Sequence, residues 1–81
     1  MKCFISAGVK FYMLAPGEPY PDPYEGNNYI GAYVVFPFEG QWYAQIHFQR
    51  RWQKLTDRGF STENEAINFV YERFLSGEDK R

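Results

Sequence analysis

The chain has one cysteine, Cys3, and one histidine, His47, and each scarcity excludes something. A lone cysteine forbids an internal disulfide, so 81 residues must hold together by packing alone. One thiol and one imidazole do not close a metal site without widely scattered carboxylates. They do not make a nucleophile and base either, because that pair needs hydrogen-bond reach. Alternation puts Cys3 on the apolar side of its segment and His47 on the polar side of its own. A glycine-rich phosphate loop is also missing, since "PGEP" and "EGNN" lack its spacing and context. No run approaches the ~18 apolar residues of a membrane span. Lys10 breaks the apolar opening, which alternates as a strand does and does not read as a secretion signal. The expectation is a cytoplasmic, non-catalytic protein with no cofactor, metal or evident small-molecule substrate.

What is present is aromatic. Eight Phe, seven Tyr and two Trp make up 21 % of the chain, and each ring can bury about 150–250 Å². That density gives a short chain a core. Net charge is only −1, yet it is unevenly placed. Arg50, Arg51, Lys54 and Arg58 against Asp57 make residues 41–60 locally basic, while acids outnumber bases on both sides.

The fold class expected is α+β, in one domain spanning residues 1–81. Cys3, Ile5, Ala7, Val9, Phe11 and Met13 share one apolar register, which reads as a strand near 3–14. "APGEPYPDPYEGNN" (15–28) holds four prolines and two glycines, so it reads as a loop with polyproline II character. Fourteen residues is long for a connector, and such loops tend to carry function. "YIGAYVVFPF" (29–38) and "QWYAQIHF" (41–48) flank "EG", a two-residue hairpin signal. "WQKLT" (52–56) reads as a further strand. Pro37 implies a free edge on its strand near the hairpin tip. In the second strand Trp42, Ala44, Ile46 and Phe48 face one way, and Gln41, Tyr43, Gln45 and His47 the other.

A helix at 62–76 has both ends written in. Thr62 with Glu65 is a capping box, Glu63 suits the first turn, and Gly77 suits a left-handed C-terminal cap. Ile67, Val70, Tyr71 and Phe74 form its apolar stripe, flanked by Ala66, Phe69 and Leu75. The helix should cover one face of a three- or four-stranded antiparallel sheet.

Residues 29–75 resemble two families of DNA-binding module, the plant ethylene-response-factor domain and the arm-binding domain of tyrosine-family phage integrases. The residues that carry the likeness are Gly31, "QWYAQIHF" and "GFSTENEA"; small uncharacterised bacterial proteins look similar too. In the DNA-binding families the sheet face away from the helix enters the major groove. The resemblance implies that this face holds Tyr29, Gly31, Tyr33, Val35, Tyr43, Gln45 and His47, with either Arg51 and Gln53 or Trp52 and Lys54. The first strand departs from the families in having no basic residue.

Two functional readings follow. The favoured one is a protein–protein surface, for a partner protein or a second copy, built from Tyr20, Tyr24, Tyr33 and Tyr43, because tyrosine gives large contact area at little entropic cost. The alternative is nucleic-acid binding by Tyr43, His47, Arg50, Arg51, Lys54 and Arg58. Four cations supply few phosphate contacts, and a pI near 5.7 is far below that of dedicated binders. Whether loop 15–28, a second copy or a partner covers the outer sheet face stays open at this level.

Overall fold

The computed structural model describes residues 1–24, 31–48 and 50–76. It is an α+β domain with a single sheet of five strands in sequence order: β1 (Lys2–Ser6), β2 (Val9–Met13), β3 (Gly31–Phe38), β4 (Gln41–Phe48) and β5 (Arg51–Lys54). Helix α1 (Glu63–Ser76) packs across one face. Three strand pairs are antiparallel and β2–β3 is parallel.

The expected single strand at 3–14 is a hairpin. Ala7 and Gly8 both have positive φ, at 52° and 84°, which is the signature of a type I′ turn whose twist matches its strands. Alanine is a poor residue for that conformation, so the turn left little trace in the sequence. The two-residue turn also reverses parity. Val9, Phe11 and Met13 lie under the helix, whereas Cys3 and Ile5 pair with Tyr12 and Lys10 on the opposite, outer face. The sheet therefore has five strands where three or four were expected, and one of its pairs is parallel.

The β3–β4 hairpin forms as its sequence indicates, with Glu39 and Gly40 at φ 51° and 79°. Pro37 sits where β3 has outrun β2, whose pairing stops at Met13–Val35, so its missing N–H weakens no ladder. The helix starts at the expected Thr62 cap, with the Glu65 side chain reaching one residue beyond it to Ser61. The Glu65 amide donates to Thr62 Oγ1 at 3.1 Å, and Glu65 Oε1 accepts from the Ser61 amide at 2.9 Å. The expected cap at Gly77 lies outside the described residues, as do Tyr29 and Ile30 at the start of the third predicted strand.

The core under the helix stacks rings in a row. Phe11 lies flat between Phe4 and Tyr33, at centroid distances of 4.8 and 5.2 Å, and meets Phe74 edge-on at 5.4 Å. Ala66 and Val70 are fully buried against the sheet. Leu75, expected on the flank of the apolar stripe, is 65 % exposed.

Candidate binding face

The outer face of the sheet is where the sequence placed function, and register decides which residues reach it. In β3–β4, Ala32 pairs with His47, Val34 with Gln45, and Phe36 with Tyr43. Directly opposed residues share a face, so Ala32, Val34 and Phe36 accompany Tyr43, Gln45 and His47. Tyr33 pairs with Ile46 and Val35 with Ala44, on the helix side. This corrects the expectation for Gly31, Tyr33 and Val35 by one residue, since Gly31 pairs with Val9 on the helix side. Tyr33 is 4 % exposed and packed on Phe11 and Phe74, so it is core and presents no binding surface. The β4–β5 pairing puts Trp52 and Lys54 on the outer face, and Arg51 and Gln53 on the other.

Half of this outer face is covered by the proline-rich segment that carries the chain from β2 toward β3. The segment starts with a tight turn at Ala15–Glu18, where Gly17 supplies φ 78° and the Glu18 amide donates to the Ala15 carbonyl. The Glu18 carboxylate accepts from the Ala15 amide and pairs with the N-terminal ammonium at 3.0 Å. Both hold its pKa below the ordinary carboxylate value, the amide bond first. Further along, Pro23 is buried and its carbonyl accepts from Lys10 Nζ. Tyr24 stands edge-on to His47 at 5.2 Å, and Tyr20 rests on Phe36 and Trp52 at 5.8 and 5.7 Å.

The cover accounts for His47, which is 6 % exposed between Tyr24 and Trp52. Burial pushes its pKa down, and the nearby Asp22 carboxylate offsets part of that. His47 therefore has no free ring face to stack on a base. Cys3, expected in the core, is exposed on the outer face of β1. Three strand spacings separate β1 from β4, about 14 Å at the usual spacing, far outside the reach of a thiol and its base.

Beyond Tyr20 no described residue of the segment lines the face, and an aromatic cleft of about 330 Å³ begins. Phe36, Phe38 and Tyr43 wall it, Gln45 forms its floor, and Lys54 and Asp57 stand at the rim. Phe38 is 58 % exposed. Tyr43 lies 6.0 Å from Phe36 and 6.4 Å from Phe38, and its hydroxyl donates to Gln41 Oε1 at 3.1 Å. Tyr20 links cover and cleft. Burial raises its pKa, and the Gln45 side chain on the cleft floor offsets part of that. Gln45 Oε1 is sealed from solvent with no partner among the described residues.

The basic residues do not gather on one surface. Arg50 turns the chain at φ 69° and Arg51 follows it, both exposed at the end of the sheet away from the cleft. Lys54 pairs with Asp57 at 3.5 Å on the outer face. Arg58 lies over the Phe60 ring at 5.7 Å. Phe36 and Phe38 were missed as site residues. The signal that could have found them is parity from the Glu39–Gly40 turn, which places Phe38 opposite Gln41 and Phe36 opposite Tyr43.

No group of three or more possible metal-ligating side chains occurs among the described residues, and none of their helices is long and apolar enough to cross a membrane. No known protein family, curated protein or solved structure matches this chain.

Proposed function

We propose that the protein is a non-catalytic binding module that recognises another protein through the cleft formed by Phe36, Phe38 and Tyr43, with Tyr20 packed against Phe36 beside it. The observation that carries this reading is the uneven treatment of one face. The chain covers His47 and Trp52 with its own loop, yet leaves Phe38 58 % exposed beside an open aromatic cleft. Exposed aromatic side chains around a concavity, with charge confined to the rim, are the usual anatomy of a protein-recognition hot spot. A volume of about 330 Å³ is at the small end for ligand pockets. It suits one or two apolar side chains of a partner segment. The Lys54–Asp57 pair at the rim offers both signs of charge to the groups that flank such an anchor.

The test is a selection from a displayed random-peptide library, with binding then measured on the wild type, Phe38→Ser and Tyr43→Ala. Truncating a central aromatic costs about 2 kcal/mol or more at a hot spot. Enriched peptides should share an apolar anchor and bind each variant at least tenfold more weakly. Peptides that bind both variants as well as the wild type would refute the cleft. A parallel titration with single- and double-stranded oligonucleotides, at about 50 and 200 mM salt, examines the nucleic-acid alternative. Saturable, strongly salt-dependent binding there would favour it.

A further inference from the structure

The two edges of the sheet are built differently, and the difference points to self-association. Strand β5 is four residues long and has exposed Arg51 and Lys54 at its ends, the charged blunting expected of a protected edge. Strand β1 lacks such protection. It has no proline, and exposes Lys2, Cys3, Phe4 and Ile5 in succession, with Phe4 at 39 % and Ile5 at 64 %. Its one charge, Lys2, sits at the end and is bonded to Glu63 at 2.7 Å. The covering loop does not seal the outer face here, since Cys3 and Ile5 lie there exposed.

We infer that β1 pairs antiparallel with β1 of a second copy about a dyad at Phe4, joining two five-stranded sheets into one. The strand sequence is self-complementary in that register. Phe4 meets Phe4 of the second copy on the helix side, where each ring already stacks on its own Phe11. Cys3 faces Ile5 of the other copy on the outer side, and Lys2 faces Ser6. The two lysines end up about 13 Å apart at the usual rise per residue, so no like charges oppose each other. A symmetric contact of this kind is isologous and closes, which gives a dimer and no fibre. A five-residue ladder belongs at the small end of interfaces, below about 1,200 Å², so the association is weak and in the micromolar range or above. This inference rests on the edge alone and is independent of the cleft.

Cys3, the only cysteine in the chain, is a built-in probe. In this register the two Cys3 residues are diagonal neighbours, about 7–8 Å apart, within reach of a short bis-maleimide but beyond a direct disulfide. Sedimentation equilibrium over about a fiftyfold concentration range should show a monomer–dimer equilibrium. The bis-maleimide should trap the dimer over the same range. Ile5→Lys places two positive charges across the dyad from exposed positions that the monomer core does not use. It should weaken dimerisation at least tenfold and abolish the cross-link, whereas Leu75→Lys on the helix should change neither. A monomer throughout, a dimer insensitive to Ile5→Lys, or a wild-type dimer that the bis-maleimide does not trap would each overturn the proposal.

Discussion

At the scale of single residues, three positions concentrate the physics. Phe11 is fully buried and touches four other rings. Phe11→Ala should cost about 3–5 kcal/mol, a large part of the stability of any small domain, and urea unfolding should show a collapsed or absent transition. Ala7 holds a left-handed conformation at φ 52° that costs an L-residue roughly 1–2 kcal/mol. Ala7→Asn, which suits a type I′ turn, should stabilise the protein by about 0.5–1 kcal/mol and raise Tm by several degrees. His47 has a pKa lowered by burial from its ordinary value of about 6.5. The unfolded chain therefore takes up the proton first as pH falls. The stability held by neutral His47 is complete above about pH 6.5 and is lost as pH drops from there toward the lowered folded pKa. Unfolding free energy measured from pH 7.5 to 5.5 should fall in the wild type, and the fall should shrink in His47→Gln.

At the scale of elements, what the sequence made legible followed local chemistry. The Glu39–Gly40 turn, the alternation of β4 and the Thr62–Glu65 box each state their structure within a few residues. Thr62→Ala should cost about 1 kcal/mol, readable as lost helicity and a lower Tm. The two misreadings share a cause. From Cys3 to Met13 one parity class is wholly apolar, and Ala7–Gly8 is a weak turn signal, so periodicity alone could not show the hairpin. Strand β3 is buried on both faces, from Ala32 through Val35, and a strand apolar on both sides does not say which side faces the helix. Its partner β4 held that information, because Ala44 and Gln45 differ in character and the ladder transmits the difference. Tyr33 was thereby misplaced as surface, and Phe36 and Phe38 were overlooked.

At the scale of the whole molecule, the proline-rich connection is best understood as part of the fold. A parallel pair needs a crossover, normally a helix, and the described part of this one is a loop that lays Tyr20, Pro23 and Tyr24 across the sheet. One sheet thus carries a helix on one side and a half-length cover of its own loop on the other. The sequence offered this loop as one of three candidate covers but could not choose it, because nothing local in "PYPDPY" names the distant residues that receive it. Tyr24→Ala tests the cover directly. It removes the ring over His47, so the imidazole should become solvent-accessible and its pKa, followed by NMR, should rise toward its ordinary value.

The cover leaves the cleft open on the outer face beside β3 and β4, and the proposed function depends on that division. The most direct measurement is a titration of the ¹⁵N-labelled protein with a selected peptide, followed by amide shifts. The account predicts changes centred on Phe36, Phe38, Tyr43 and Lys54, absent when Phe38→Ser is titrated. Changes centred instead on the Arg50–Arg51 turn or on the helix, or changes unaffected by Phe38→Ser, would contradict it.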